Sequence, residues 1–258
     1  HLALASWMKS QGFRMAGFEE SIWVRPADAT YEHEIIMSTH IDNNLMACES
    51  LATLEKFKKT FLTRFDGTDD KEVTTYLGCE VVRDRTNRTL HLRQSAYAER
   101  VLSLYGMWEA NPAVTPLSPG MRLSKTDSPE YVDPALQRLY RGIVGHLGFL
   151  VTMTRCDLAF SYAELSKFVA YPGQAHLDSA KHVLRYLRGT HDRGITYSVP
   201  TDPAMLHRCV GWVDSDFAAD PDTRRSVTGY ILSLNNGPVS WKSKRQDCVT
   251  LSSAEAEY

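Results

Sequence analysis

Hydrophobic positions along the first 105 residues alternate between helical and strand spacing. Residues 2–11 follow a helical pattern that stops at Gly12, a residue suited to the left-handed end of a helix. Alternating runs predict strands at residues 21–25, 34–38 and 45–48. A helix is predicted from Ser50, because the apolar residues after it share one face: Leu54, Phe57, Phe61 and Phe65. A hairpin over residues 73–93 and a helix over 95–105 follow.

The middle of the chain is rich in proline and then helical. Residues 111–134 contain five prolines, which fix φ and lack an N–H, so an extended connector is predicted there. A helical block is predicted over residues 135–188, broken at Pro172 and Gly173. Strands and a final helix follow, at residues 194–199, 208–217, 228–234 and 238–245 and from Ser252.

Composition excludes several classes of protein. The 258 residues are 43% hydrophobic and 23% charged, which is typical of a soluble globular protein. The longest weakly polar run, residues 143–153, is shorter than the roughly 20 residues of a membrane span. No membrane association is therefore predicted, and the absence of a signal-peptide pattern predicts an intracellular location. The five cysteines are far apart, which favours reduced thiols over disulfides or a zinc site.

The net charge of −2 conceals a basic segment. Residues 138–193 contain eight basic and four acidic residues, and nucleic-acid binding commonly shows as such a local excess. Lys181, Arg185 and Arg188 share a face of the last predicted helix. At this point they are either phosphate contacts or an ordinary solvated helix surface.

Two groups of carboxylates are candidates for metal chemistry. Asp42 lies at the turn of a predicted hairpin, and polymerases hold divalent ions with carboxylates placed in this way. Asp214 and Asp216 share a strand face, and Glu257 lies in the following helix, as in the first half of a two-metal nuclease site. The alternatives are that Asp42 only favours the turn and that the later acids only solvate a loop.

Several sequence blocks occur in an order that is specific to one family. The most specific are Tyr76-Leu-Gly78, residues 140–147 (YRGIVGHL), 154–159 (TRCDLA), 176–190 (HLDSAKHVLRYLRGT), 222–230 (DTRRSVTGY) and 251–258 (LSSAEAEY). With these blocks the chain resembles the reverse transcriptase and ribonuclease H portion of a copia-type retrotransposon polyprotein.

This resemblance implies an α+β fold in three parts. Residues 1–110 are expected to form a partial reverse-transcriptase palm and thumb. Residues 111–193 are expected to form a proline-rich linker and helical connection. Residues 194–258 are expected to form the N-terminal part of a ribonuclease H-like domain with an incomplete mixed sheet.

The resemblance also implies site residues. Asp42, Asp214 and Glu257 correspond to catalytic and metal-binding acids, and Mg²⁺ is the implied ion. Asn43 stands where the family has a second aspartate, and the remaining acids are expected before His1 and after Tyr258. The basic residues expected to contact phosphates of an RNA–DNA hybrid or primed RNA template are Lys181, Arg185, Arg188, Lys242, Lys244 and Arg245.

The expected function is that of a fragment of an RNA-directed DNA polymerase and ribonuclease H that acts on RNA–DNA hybrids. Because too few acids are present at either site, the fragment is expected to be catalytically incompetent by itself, and the rest of the polyprotein is an expected partner. One alternative is a non-catalytic module, derived from the element, that binds nucleic acid or a protein partner. Another is a decayed element without function.

Overall fold

The structure is a computed structural model that describes residues 2–258. Contacts divide the chain into two compact units, one ending at Lys71 and the other running from Glu72 to Tyr258. The first unit contains two helices and four strands: α1 (Leu2–Ser10), β1 (Arg14–Ala16), β2 (Glu19–Arg25), β3 (Ile35–His40), β4 (Asn43–Cys48) and α2 (Leu51–Arg64). The strands form one antiparallel sheet in the order β1-β2-β3-β4.

The core of the first unit lies between this sheet and its helices. Alternate residues of β2 and β3 point inward, so Trp23, Ile35 and Met37 are buried. They share a cluster with Phe57 and Phe61 of α2. This arrangement confirms the predicted apolar face of the helix that begins after Ser50.

The second unit contains five helices and seven strands: β5 (Thr75–Tyr76), β6 (Cys79–Asp84), β7 (Thr89–Arg93), α3 (Ser95–Leu104), α4 (Pro134–Met153), α5 (Ala159–Ser166), α6 (Gln174–Gly189), β8 (Gly194–Ser198), β9 (Cys209–Ser215), β10 (Val227–Leu234), β11 (Gly237–Arg245) and α7 (Ser253–Glu257). The strands form two sheets, β5-β6-β7-β8 and β11-β10-β9. With its seven described helices and three sheets, the chain has the predicted α+β fold.

A helical core occupies the centre of the second unit. The cluster is made by buried residues of α3, α4 and α6, among them Leu102, Leu147 and Leu184. The predicted helical block has an additional break at residues 154–158, between α4 and α5. None of the helices in residues 2–258 is long and apolar enough to cross a membrane.

The two sheets of the second unit differ from the sequence-based expectation. Strand β8 pairs with β7, with Ile195 opposite Leu92, and not with the strands that follow it in sequence. The sheet expected to be mixed is antiparallel throughout its three strands, β9, β10 and β11. The predicted boundaries near residues 110 and 193 both lie inside the second unit, and the three-part division stays a prediction.

Candidate nucleic-acid interface

The β3–β4 hairpin presents Asp42 at its tip. His40 pairs with Asn43, so the turn consists of Ile41 and Asp42 alone. Asparagine tolerates positive φ in such turns, but here Ile41 adopts it, with φ +53°. A β-branched residue in this region is strained. Asn43 and Asn44 lie instead in β4.

Asp42 belongs to no group of three or more potential metal ligands within residues 2–258. Its side chain is exposed, and upstream Asp28 is already bound within its own loop. Arg25 donates hydrogen bonds of 3.2 and 2.8 Å to the two Asp28 carboxylate oxygens. The pKa of Asp28 is lowered by the hydrogen bond from the Tyr31 amide and by Arg25. Asp28 therefore stabilises a loop.

Asp214 and Glu257 lie at the same end of β9. Asp214 pairs with Gly229 of β10 and is one residue from the end of its strand. The Oε1 atom of Glu257, in α7, accepts a hydrogen bond of 3.2 Å from the Ser215 amide. Both acids are exposed. The fold therefore brings into one neighbourhood two residues that are 43 positions apart in the sequence.

The other acids after β9 stabilise the β9–β10 loop. Asp216 accepts hydrogen bonds from the amides of Val227 (3.0 Å) and Ala219 (3.3 Å). Asp220 accepts from Lys167 at 2.8 Å and from Arg245 at 3.2 Å. Burial alone would raise the pKa of Asp220, but hydrogen bonds from Lys167 and Thr223 hold that pKa well below its ordinary value. These contacts use the two carboxylates for structure.

The donor set does not fit a bound Mg²⁺ ion in this chain alone. Magnesium sites in polymerases and nucleases use several oxygen ligands, with two or more carboxylates converging. Within residues 2–258 no group of three or more His, Cys, Asp or Glu side chains could hold a metal ion. Asp42 stands alone on its hairpin, and Asp214 has Glu257 as its acidic neighbour.

Arg185 and Arg188 contact the connector in the structure. Arg185 donates from Nε to the carbonyl oxygen of Asn111 at 2.8 Å. Arg188 donates to the carbonyl oxygen of Trp108, and its guanidinium lies 4.5 Å from the centre of the Trp108 ring. Both arginines therefore have a structural role, and their predicted phosphate contacts stay predictions.

These arginines belong to a larger set of α6 side chains that donate hydrogen bonds to backbone carbonyls of residues 108–124. Its other members are two histidines, whose Nε2 atoms donate at 3.1 Å to the carbonyl oxygens of Ser124 (from His176) and Thr115 (from His182). At about 100° per residue, His182, Arg185 and Arg188 lie on one side of the helix, whereas His176 lies about 120° or more away, near the helix N-terminus. A proline-rich segment has few N–H groups but a carbonyl at every residue, which explains why the helix supplies donors. We call these four side chains the α6 clamp.

The remaining predicted phosphate contacts differ in their environments. Lys181, Lys242 and Lys244 are exposed, and Lys244 pairs with Asp247 at 3.1 Å. Arg245 is turned toward the buried Asp220. Three lysines thus remain on the surface, and two of them lie on one face of β11, two residues apart.

The sequence reading missed a buried polar cluster around Arg155. Arg155 is 1% exposed and donates two hydrogen bonds to Asp157, at 2.9 and 2.8 Å. It also donates to the carbonyl and hydroxyl oxygens of Thr190, at 2.9 and 2.7 Å. The cluster therefore ties the start of α5 to the end of α6. The feature of the sequence that indicates this cluster is the Thr-Arg-Cys-Asp block, because its charged pair lies between two apolar helices.

An acid-tipped hairpin on a four-stranded antiparallel sheet is consistent with a partial reverse transcriptase. Residues 2–119 match the family model for reverse transcriptase (RNA-dependent DNA polymerase). The chain belongs to the family of Pol polyproteins of copia-type retrotransposons.

The relatives cover the whole chain. It is 34% identical over 261 residues to the retrovirus-related Pol polyprotein from transposon TNT 1-94 of Nicotiana tabacum, covering 100% of the chain and 19% of that polyprotein. Identity to the polyprotein from transposon RE1 of Arabidopsis thaliana is 33% over 258 residues, covering 100% of the chain and 17% of the relative. The chain thus spans less than a fifth of these polyproteins.

A shorter relative matches most of its own length. An uncharacterized mitochondrial protein of Arabidopsis thaliana is 32% identical over 219 residues, which are 85% of this chain and 87% of that protein. No solved structure matches the chain.

Proposed function

We propose that this part of a retrotransposon polyprotein binds RNA–DNA hybrids and completes neither metal site alone. The observation that carries the proposal is the position of Asp214 and Glu257 at one end of the β9–β10–β11 sheet. Exposed Lys244 of β11 pairs with Thr228 of β10, which in turn pairs with Ser215 of β9, the residue after Asp214. Paired residues share a face of the sheet, so Lys244 lies on the face of Ser215, opposite to that of Asp214. We propose that the polynucleotide passes around this end of the sheet, where its phosphates meet the lysines on one face and the acids on the other.

The palm hairpin supports a place in the polymerase half of the polyprotein. Asp42 is exposed at a turn of two residues. Asn43 is a neutral amide and cannot supply an ionised carboxylate. We infer that polymerisation and hybrid cleavage require acids from elsewhere in the polyprotein, and that Mg²⁺ binds only when those acids are present.

A second candidate is a module that binds nucleic acid or protein and has no part in catalysis. The absence of a third acid near Asp42 or Asp214, among the residues described, favours it. The two candidates differ in one respect, which is whether supplying the rest of the polyprotein restores metal-dependent activity.

Binding to a short RNA–DNA hybrid, measured by fluorescence anisotropy, tests the proposal. The logarithm of the binding constant should fall linearly with the logarithm of salt concentration, because phosphate contacts release counterions. Lys242→Ala with Lys244→Ala should weaken binding several-fold. Arg138→Ala with Arg141→Ala, which removes the same charge at exposed positions of α4, should leave binding nearly unchanged. Binding that is insensitive to salt would contradict the proposal.

Primer extension and hybrid cleavage with Mg²⁺ test the second part of the proposal, that the chain alone completes neither metal site. The chain alone should be inactive in both assays. Adding the remaining reverse transcriptase and ribonuclease H segments should restore cleavage that depends on Asp214, and Asp214→Asn should abolish it. If cleavage is not restored although hybrid binding is intact, the non-catalytic module is the correct reading.

A further inference from the structure

The β9–β10 loop, residues 216–226, carries two arginines whose side chains form no ion pair or hydrogen bond within the described chain. Arg224 is exposed and Arg225 is half-buried. From this geometry we infer that Arg224 and Arg225 contact a phosphate of the nucleic acid bound near Asp214. The inference rests on the proposed function and names a surface that the sequence reading did not include.

Hydrogen bonds to the carboxylates of Asp216, Asp220 and Asp222 hold the loop in place. Asp216 fixes its two ends through the amides of Ala219 and Val227. Asp220 accepts from the Thr223 amide at 2.9 Å, and its own carbonyl accepts from the Arg224 amide at 2.9 Å. Asp222 accepts hydrogen bonds from the Ser124 hydroxyl and the Lys125 amide in the connector. A rigid loop presents a side chain to a ligand with little loss of backbone entropy on binding.

The acids of this loop leave the arginines without an internal partner. Asp220 is paired with Lys167 and Arg245 inside the fold. Asp222 is turned toward the connector, where its carboxylate lies 2.6 Å from the Ser124 hydroxyl. Arg225 does act on Asp247, whose pKa is lowered by its hydrogen bond with Lys244 and, more weakly, by Arg225. Arg225, Asp247 and Lys244 therefore share one neighbourhood with an excess of positive charge.

Arg224 has a left-handed backbone in a turn closed by two backbone hydrogen bonds, from the Arg224 amide to the Asp220 carbonyl (2.9 Å) and from the Asp220 amide to the Arg225 carbonyl (3.2 Å). Its φ is +56°, the left-handed region that glycine adopts freely and other L-residues adopt at a cost. Within the described residues the Arg224 side chain forms no hydrogen bond or ion pair. Eight other non-glycine residues of the described chain share a positive φ, so the strain adds to the position of the loop and does not by itself indicate a ligand.

The arginines lie at the correct end of the sheet for the proposed ligand. The Gln246 amide donates to the Ser226 carbonyl at 2.8 Å, and the Asp216 amide donates to the Val227 carbonyl at 3.1 Å. The loop therefore borders the end of β11 and the end of β9 that carries Asp214. Lys242 and Lys244 lie on the opposite face of the sheet from Asp214, so a phosphodiester strand that reaches both must pass around this end of the sheet and over the loop. A guanidinium is well suited to such a contact because its donors match two phosphate oxygens.

Arg224→Gly separates a binding role from a structural one. Glycine removes the charge and also the strain, so the variant should bind the hybrid more weakly and yet unfold at a higher temperature, by about 2–4 °C in a chain of this size. The slope of log binding constant against log salt should decrease by about 1, as expected for one lost phosphate contact. Arg224→Lys, which keeps the charge, should retain most of the slope. Arg225→Gln should also reduce the slope of log binding constant against log salt.

Charge-matched Arg138→Ala serves as the control and should change neither affinity nor slope appreciably. An Arg224→Gly variant with a raised melting temperature and unchanged affinity and slope would overturn the inference and leave the proposed function intact. Failure of the unaltered chain to bind the hybrid even at low salt would overturn both. An equal loss of affinity in Arg138→Ala would reduce the effect to net charge and would also overturn the inference.

Discussion

The Nε2 atom of His176 lies 3.1 Å from the carbonyl oxygen of Ser124, and its Nδ1 atom accepts a hydrogen bond of 2.9 Å from the Gly173 amide. The ring is fully buried and stacks on Phe168 with 4.0 Å between centroids. Because one nitrogen donates and the other accepts, the imidazole must be neutral. Ser124 in turn donates to Asp222, so one histidine links α6, the connector and the β9–β10 loop.

Stability should therefore fall as the pH drops below neutrality. Burial lowers the pKa of His176 below its ordinary value of 6.5, although the Ser124 carbonyl and the charges of Asp127 and Asp222 oppose this. Between the two pKa values the unfolded chain binds a proton that the folded chain does not, so stability is lost as the pH falls through 6.5. Urea unfolding at pH 7.5, 6.5 and 5.5 measures this slope.

His176→Gln provides the comparison, because glutamine does not titrate. The variant should be less stable at pH 7.5 but should lose less stability on acidification. The lowered pKa of Asp220 contributes in a separate window: its stabilisation is complete above the ordinary value of 3.8 and is lost only at lower pH. Equal slopes in the unaltered chain and the variant would contradict the role assigned to His176.

Gly173→Ala should be strongly destabilising for steric reasons alone. A Cβ atom at this position would lie 1.9 Å from the carbonyl oxygen of Asp127, and the φ of −101° is not in the left-handed region. The backbone of the connector must therefore move, which we expect to cost about 3 kcal/mol or more. Thermal unfolding of the variant measures the loss.

Gly145→Ala is the matched control, since a Cβ atom there meets nothing within 4 Å. The position lies inside α4, where alanine should stabilise the helix by up to about 1 kcal/mol. If both variants lost similar stability, the close approach at Gly173 would not be the cause.

Removal of the clamp arginines should loosen the connector. Arg185→Ala and Arg188→Ala should each lower the free energy of unfolding by about 1–2 kcal/mol, because each deletes a charged donor to a backbone carbonyl. Hydrogen exchange of the Ala113 amide, which donates to the Arg185 carbonyl at 3.2 Å, should become faster. Lys181→Ala, on an exposed position of the same helix, should change stability by less than about 0.5 kcal/mol.

The same variants separate structure from phosphate binding. Lys181→Ala should reduce hybrid affinity at unchanged stability if this lysine faces the nucleic acid. A loss of hybrid affinity in Arg185→Ala without any loss of stability would show that the connector contact is incidental.

Arg155→Met should be among the most damaging single substitutions. It leaves Asp157 without its cation and the Thr190 hydroxyl oxygen without a donor, and it leaves the Thr190 carbonyl with the Arg193 amide alone. Breaking a buried pair from one side costs about 3 kcal/mol or more. Urea unfolding should show this loss, and Arg138→Ala should stay within about 0.5 kcal/mol of the unaltered chain. If Arg155→Met lowered the free energy of unfolding as little as Arg138→Ala does, the Arg155 cluster would be solvated in solution.

Local patterns in the sequence were sufficient to place most helices and strands. Residues 51–64 form the predicted helix, and Gly106, with φ +65°, follows the helix that it was expected to end. These features depend on neighbouring residues, which a sequence displays directly. The pairing of β8 with β7 joins residues about 105 positions apart, and no local pattern specifies such a partner.

Site residues were harder to assign for the same reason. Arg185 and Arg188 have the spacing of a phosphate-binding face, but their acceptors are carbonyl groups 74 and 80 residues away. Every residue has a carbonyl, so an acceptor of this kind leaves no mark in the sequence. Glu257, by contrast, is assigned by the family resemblance. Its carboxylate accepts a hydrogen bond from the Ser215 amide at the end of β9, and its role in metal binding stays a prediction.

The pairing of β8 with β7 has a practical consequence for anyone who expresses parts of this polyprotein separately. A fragment that starts at Gly194 would take β8 away from β7 and would leave the Trp241 indole without the Val151 carbonyl, to which it donates at 2.9 Å. Residues 194–258 are therefore not a freestanding unit in this chain. Expression boundaries or recombination breakpoints between Gly189 and Gly194 would cut through a shared structure, whereas a cut near Lys71 would separate two bodies that each keep their own core.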